Sequence, residues 1–543
     1  MGSCCNLMTS TATARQKEIF QAMKRADFYP HRATLIQQRE THISMVFLTG
    51  PYVYKIKKPV DLEFLDYTTL EKRRRFCHQE VALNRRLTHN VYLEVVPITL
   101  KKGSYYMAGP GTAVEYCVKM RQLRQEASMI RLLEAGKIDK EKLRALAHIL
   151  ARFYGRASTG GNITAFGSWE TVWKNCEENF KQTEAFVGTI LDERVFQIVR
   201  AATRSFLRRR QELFRRRMEE EKIRDCHGDL RSGHIYFENG IQIVDCIEFN
   251  ERFRYGDITS DLAFLAMDLD YEGHPRSAQD LVKAYVSCVK DHDVFALLDF
   301  YKCYRAFVRL KVNCLRLQQG DLTKQERDRL LKETERYTDL AYQYAVQFTR
   351  PTLWVLCGMP ASGKSTVAKE VAKCLGIGVF RSDAVRKELF GLQPQEQRDV
   401  PFEEGIYSRE ASSLTYGKLL LLAQEELENG RSVILDATYA SRHQRSEVLR
   451  LANDADANVM FVECISSEAV LKKRLIQREK TSFISDARLH HFDKMKALFE
   501  PLDEVPDDVH IAIDTEGSLE GALQEILSHD SLLLPRHTAE AVE

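Results

Sequence analysis

The apolar positions change period several times along the first 350 residues, and each change predicts a new element. Residues 43 to 58, ISMVFLTGPYVYKIKK, place Val, Ile, Phe and Tyr on both sides of the turn dipeptide Gly50-Pro51 and predict two strands in a hairpin. From Thr68 the segment TTLEKRRRFCHQEVALNRRL takes a helical period, with Thr68 and Glu71 spaced as a capping box. Strands are predicted in YLEVVPITL and AVEYCVKMRQL, then helices from about Ile138 to Lys222. Within these, FLRRRQELFRRRMEEEKIRD is rich in arginine, but its Glu run and interleaved Leu and Phe predict a solvated amphipathic helix, not a nucleic-acid patch. Helices resume from Asp257 to about Phe348, and Thr349-Arg350-Pro351 is the predicted domain boundary.

Beyond it the order is strand TLWVLC, loop, helix STVAKEVAKCL, strand GVFRS, helix AVRKELFG, a long helical insert, strand SVILDAT, helix, strand NVMFVECI, helix, strand VHIAID, helix. Alternation at this spacing predicts βα units on a parallel sheet.

Size and charge narrow the class. A chain of 543 residues with 44% hydrophobic content exceeds one core and predicts two or three domains. Lys and Arg total 79 against 77 Asp and Glu, so net charge gives no global reason for a nucleic-acid or membrane partner. Thirteen cysteines, scattered without a CxxC pair, read as reduced thiols. With no run of 18 apolar residues and no secretory pattern, the expected location is the cytoplasm. The opening MGSCCNLMTS invites acylation at Gly2, but Asn6 stands where Ser or Thr is usual, and a flexible tail over 1–25 is expected instead, with another over 531–543.

The loop GMPASGKST fits GxxxxGK[ST] between an apolar strand and a helix. Gly358, Met359, Pro360, Ala361, Ser362, Gly363, Lys364, Ser365 and Thr366 are thus assigned to a nucleotide, with ATP expected: backbone N–H groups wrap the phosphates, Lys364 reaches the terminal ones, and the Ser365 hydroxyl serves magnesium. Asp436, closing SVILDAT, is placed to hold the metal shell. Asp383 ends the second strand with Arg386 one helical step behind, either facing the cleft or capping the helix after Ser382. Arg474 and Arg478 lie four apart on EAVLKKRLIQREK, hence on one face, suited to neutralising a transferring phosphoryl group.

In GMPASGKST, RSDAVRKEL, ILDATY and RLIQRE, residues 352 to 530 resemble P-loop small-molecule kinases related to gluconate, shikimate and zeta-toxin-type kinases, and also 5′-hydroxyl polynucleotide kinases. Upstream, CHGDLRSGHIYF resembles the catalytic loop of the aminoglycoside phosphotransferase and protein kinase superfamily. That resemblance makes Asp229 the acceptor of the substrate proton and Asp245 a magnesium ligand, with Asp257 and Asp261 bracing the loop. It sets Val53 under the adenine and Lys55 on the phosphates, paired with Glu80; Lys57 shares that strand face and competes for the role. Phe76, Glu80, Leu83 and Leu87 are the expected buried stripe of the helix. His234 replaces the expected Asn as a metal ligand, and the hairpin has only Gly50 in place of a glycine-rich cover.

FLDYTTLEKRRRF, LNRRL, HGDLRSGHIY and DCIEFN resemble a bacterial family joining the two halves. The expectation is a multidomain α/β and α+β protein: a kinase-like domain of the aminoglycoside phosphotransferase type at 26–348 and a P-loop NTPase at 351–530 with a parallel sheet. The expected activity is transfer of γ-phosphate from ATP, with Mg2+, to a hydroxyl of a small molecule. Two alternatives stay open: the N-terminal half as a non-catalytic nucleotide- or ligand-binding regulator, and the C-terminal half as a polynucleotide 5′-hydroxyl kinase.

Overall fold

The computed structural model describes residues 14–33, 35–62, 65–319, 322–393, 404–479 and 488–529. By contact the chain divides into two units, one of residues 1–172 with 214–285, the other of 173–213 with 286–543. The long helix Lys324–Thr349 ends where the boundary was expected, yet the helices leading to it group with the P-loop sheet. The acylation motif at Gly2 and the C-terminal tail 531–543 lie outside the described residues.

The first unit opens with a helix over 14–22, in a segment expected to be flexible. Its Ile19, with Met23 just beyond, is fully buried beneath the sheet, which gives this stretch an apolar reason to order. The sheet is antiparallel throughout, in the order Gln37–Glu40, Ser44–Leu48, Tyr52–Lys57, Thr112–Arg121, Tyr92–Lys101, Ser104–Met107. The predicted hairpin around Gly50-Pro51 is its second and third strands. In Tyr52–Lys57, Tyr54 and Ile56 enter the core beside Ile19 and Met23. The two-residue alternation of a strand therefore sends Lys55 and Lys57 together to the opposite face.

That face meets the helix Leu70–Asn84, which is capped by Thr69, not Thr68. Thr69 Oγ1 accepts from the Lys72 N–H, while Thr68 is bound to Asp66. The buried stripe also differs from the expected one: it runs through Arg73, Cys77, Glu80, Val81 and Asn84, with Phe76 and Leu83 only partly covered. Polar residues occupy it because each is paired. Arg73 Nε donates to Glu115 at 3.0 Å, and Asn84 Oδ1 accepts the Cys246 N–H at 2.9 Å.

Below the sheet, a short antiparallel pair, Ile223–Asp225 with Tyr255–Asp257, and a hairpin, Ile235–Phe237 with Ile241–Ile243, frame the loop from His227 to His234. The helix Ile258–Tyr271 behind them is buried almost all round. The arginine-rich segment forms two helices, Glu193–Arg209 and Gln211–Glu219, and is only partly solvated. Arg217 is fully buried and forks onto Asp257 with two 2.8 Å hydrogen bonds.

In the second unit the sheet is parallel, ordered Gly378–Arg381, Val433–Asp436, Thr352–Cys357, Asn458–Ile465, His510–Asp514. Apolar clusters cover both faces, as the unbroken hydrophobic runs in these strands require. Phe295 packs on one of these faces, and Phe206 stacks on Phe300 with ring centroids 4.7 Å apart. Among the described residues no helix is long and apolar enough to cross a membrane.

The Arg217–Asp257 pair gives a stability test. Arg217→Met strands a buried carboxylate and should cost about 3–5 kcal/mol in urea unfolding. Adding Asp257→Asn, which keeps an oxygen for the helix N-terminus, should restore part of that loss.

Candidate active sites

In the first unit, strand, helix and loop each deliver charge to one point. Lys55 Nζ lies 2.6 Å from Asp245 Oδ1 and 2.9 Å from Glu80 Oε1. Lys57 Nζ lies 2.6 Å from Glu80 Oε2 and also contacts Glu248, whose Oε1 accepts from Tyr67 at 2.6 Å. Both lysines thus reach Glu80: Lys55 links it to the exposed Asp245, and Lys57 to the buried Glu248. Burial pushes Glu80 upward, but the two ammonium groups outweigh it and hold the carboxyl below its ordinary range. Lys55 does the same to Asp245, against the opposing effect of desolvation.

The loop that follows is pinned from behind. Asp261 accepts the N–H groups of His227 and Gly228, each at 2.9 Å, and the Tyr154 hydroxyl at 3.0 Å. Asp261 braces the loop as expected. Asp257 does not share that task; its carboxylate takes Arg217 and caps the next helix through Thr259 N–H at 2.8 Å. Asp268 supplies the other brace, accepting Ser232 N–H at 2.7 Å and its hydroxyl at 2.6 Å. Gly228 has φ +87°, and a Cβ there would lie 2.8 Å from the Phe253 carbonyl oxygen.

Asp229, Asp245 and His234 come together. His234 Nδ1 is 3.6 Å from Asp229 Oδ2, and its Nε2 is 3.8 Å from Asp245 Oδ2. Arg231 forks onto Asp229 with two 2.9 Å bonds and approaches His234 Nε2 at 3.1 Å. A guanidinium only donates, so Nε2 accepts and Nδ1 carries the proton to the Asp229 carbonyl oxygen, 2.9 Å away. The acceptor nitrogen of His234 is therefore engaged by Arg231, whereas the exposed Asp245 carboxylate suits magnesium shared with phosphate oxygens. Among the described residues, no three His, Cys, Asp or Glu side chains converge as a self-sufficient metal site.

In the second unit the phosphate loop leaves the central strand at its carboxyl end. Gly358 takes φ +127°, Ala361 +66° and Gly363 +92°, turning the chain into the helix Lys364–Leu375. A Cβ on Gly358 would stand 2.5 Å from the Cys464 carbonyl oxygen, which explains glycine there. Lys364, buried, donates to the carbonyls of Gly358 at 2.9 Å and Met359 at 2.8 Å. Burial holds its pKa below the ordinary lysine value, although Asp436 opposes the shift.

Asp436 and Ser365 share one neighbour. Arg381 Nε donates to Asp436 Oδ2 at 3.2 Å and Nη2 to Ser365 Oγ at 3.3 Å. Two protein oxygens that converge on one cationic group suit a magnesium that takes its remaining ligands from phosphate and water, so the residues fit that ion.

Asp383 sits in the first turn of Ser382–Leu389; the N-cap position belongs to Arg381. Arg386 Nη1 is 3.7 Å from Asp383, and its guanidinium lies over Tyr407. The predicted arginine pair divides its labour. Arg474 is tied to the Ala361 carbonyl at 3.3 Å and the Thr515 carbonyl at 2.8 Å, bracing the phosphate loop. Arg478 lies in the field of Asp383 and Asp436; burial and the like charges of Arg474 and Arg381 hold it below the ordinary guanidinium value.

Glu248, Arg231 and Arg381 are the site residues that motif reading passed over, and Lys57 entered it only as a competitor of Lys55 for the phosphates. Asp245 and Glu248 three apart, and arginine directly before Ser382-Asp383 at a strand end, were the available signals.

Comparison with known proteins also finds two parts, although the first match runs through 173–213, a segment that groups with the second unit. Residues 121–298 match the phosphotransferase enzyme family and residues 353–502 an AAA domain family. Uncharacterized proteins of Mycobacterium bovis and Mycobacterium tuberculosis are each 32% identical over 444 residues, covering 82% of this chain and 86% of theirs. The chain belongs to their family. This chain joins an aminoglycoside-phosphotransferase-type kinase fold to a P-loop kinase domain. Among solved structures, a choline/ethanolamine kinase family protein from Mesorhizobium loti is 12% identical, with TM-score 0.36, covering 60% of this chain and 99% of its own. A gluconokinase from Sinorhizobium meliloti is 19% identical, with TM-score 0.25, covering 34% and 91%.

Two outcomes test the geometry. Gly358→Ala should strain the loop by about 1–3 kcal/mol and lower the melting temperature of the unit that carries it. Because Glu80 and Asp245 titrate lower folded than unfolded, their contribution is complete above about pH 5 and fades as pH falls. Lys55→Met should therefore flatten the acid limb of the urea-unfolding free energy against pH.

Proposed function

We propose that this family member is an ATP-dependent phosphotransferase acting on the hydroxyl of a small molecule at the P-loop site, and that the upstream half carries a second nucleotide site. The supporting observation is the gathering of Lys364, Ser365 and Asp436 at the carboxyl end of a parallel sheet, beside a loop with left-handed turns at Gly358, Ala361 and Gly363. The corresponding domain limits are 26–348 and 351–530.

On this reading the terminal phosphates draw Lys364 away from the Gly358 and Met359 carbonyls, and the incoming anion offsets the desolvation of its ammonium. Magnesium, bound with the nucleotide through Ser365 and Asp436, supplies neutralisation of phosphate charge. Asp383 orients the acceptor hydroxyl, Arg478 stabilises charge on the transferring group, and Arg474 holds the loop on which they act. Positioning and charge neutralisation carry most of the rate. In the upstream half, Asp229 takes the hydroxyl proton, Lys55 serves the phosphates with Glu80 behind it, and Asp245 serves the metal.

A second reading has one specific observation in its favour. Arg231 occupies both oxygens of Asp229, and His234 stands where the superfamily places an amide, an arrangement suited to a nucleotide- or ligand-binding regulator of the P-loop half.

The readings separate in the full chain. Transfer of radiolabelled γ-phosphate is measured over sugars, nucleosides, aminoglycosides and oligonucleotides for wild type, Lys364→Ala, Asp229→Ala and the double variant. Lys364→Ala should lower transfer at least about a hundredfold, and unchanged turnover would refute the assignment. Residual transfer abolished by Asp229→Ala supports two active sites; residual transfer indifferent to Asp229→Ala supports the regulator.

A further inference from the structure

Arg381 stands between Asp436 and Ser365, and its hold on them is not that of a structural ion pair. Arg217 shows what such a pair looks like in this chain: both donors on one carboxylate at 2.8 Å, fully buried. Arg381 instead divides its donors between two acceptors at 3.2 and 3.3 Å, and its side chain is one-third exposed. Charge-assisted guanidinium–carboxylate bonds are strongest when short and bidentate, so this contact is the exchangeable kind.

Its location gives the exchange a purpose. Asp436 is 5% exposed, and a carboxylate so buried needs a cationic partner in every state of the enzyme. Ser365 and Asp436 fit magnesium, yet the cation they share here is a side chain anchored at the end of the Gly378–Arg381 strand. Arg478 and Arg474 add further positive charge nearby, so a free divalent ion meets repulsion while a nucleotide phosphate is attracted.

We propose that Arg381 is a further catalytic residue of the P-loop site. In the nucleotide-free chain its guanidinium spans Ser365 and Asp436, the two residues that would hold magnesium; with nucleotide bound it would turn to the phosphoryl oxygens. Ser365 and Asp436 would then be open to a divalent ion only together with the nucleotide, and the displaced guanidinium would neutralise charge in the transferring group. This rests on the P-loop reading above for its catalytic half, but the metal-binding half is independent of turnover.

The test uses the full chain carrying Asp245→Asn, which removes the acidic metal candidate of the other site. Free Mn2+ is followed by electron paramagnetic resonance without nucleotide. Arg381→Ala should bind one equivalent of Mn2+ more than its parent, at least about tenfold tighter, and adding Asp436→Asn should erase that gain. With Mn2+ and ATP, Arg381→Ala should lower kcat about a hundredfold with little change in KM for ATP. Arg381→Gln, which keeps the side-chain bulk, repeats both measurements if the alanine variant fails to fold. A Mn2+ titration identical to the parent's, or a wild-type kcat, overturns the proposal. If phosphate transfer remains Lys364-dependent in that case, the P-loop reading survives and only Arg381 loses its role. If the parent transfers nothing and Lys364→Ala leaves nucleotide binding unchanged, the P-loop reading falls, and the Mn2+ gain still decides whether Arg381 guards the metal position.

Discussion

A carboxylate removed from water must be met by positive charge, and the first unit is organised around that demand at Glu80. The residue is fully buried on the helix Leu70–Asn84, with one oxygen facing Lys55 and the other Lys57. Those lysines reach it together because a strand repeats every two residues, so the pairing fixes which face of Tyr52–Lys57 meets the helix. It also fixes the loop beyond: Lys55 continues to Asp245 and Lys57 to Glu248. Strand, helix and loop are thereby set against one another through charges that cannot be separated without leaving one stranded.

The second unit solves a related problem with backbone. Its phosphate loop adopts left-handed conformations at Gly358, Ala361 and Gly363, a backbone form suited to cradling an anion, while Lys364 satisfies itself on the loop's own carbonyls. Arg474 and Thr515 hold the loop from outside, Thr515 Oγ1 donating to the Ser362 carbonyl at 2.6 Å. One site relies on long side chains spanning three elements, the other on a short segment of strained main chain.

This difference decides how much could be read from the chain alone. The P-loop, its flanking strand and helix, and the parallel order were legible because their requirements are local and spaced at fixed intervals. HGD and the aspartate sixteen residues later were legible for the same reason. The helix from Leu70 was legible as a helix but not in its buried face, because Arg73 and Asn84 are inward for partners, Glu115 and the Cys246 N–H, distant in sequence. Asp257 and Asp261 looked interchangeable four residues apart; only the fold sends one to Arg217 and the other to the N–H groups of His227 and Gly228. Arg217 itself sat in a run of surface-like arginines, and nothing in its neighbours marks it as the fully buried one.

Asp245 carries a last implication. Its φ of +67° places it in the left-handed region, where aspartate, asparagine and glycine are tolerated and branched or bulky residues are not. Backbone geometry therefore limits which residues can replace the carboxylate at this position. A lineage that gives up the carboxylate should drift to asparagine or glycine, keeping the loop's shape, and a relative with valine or isoleucine there has rebuilt the loop itself. The identity of the replacement thus records whether a descendant lost the carboxylate alone or lost the architecture too.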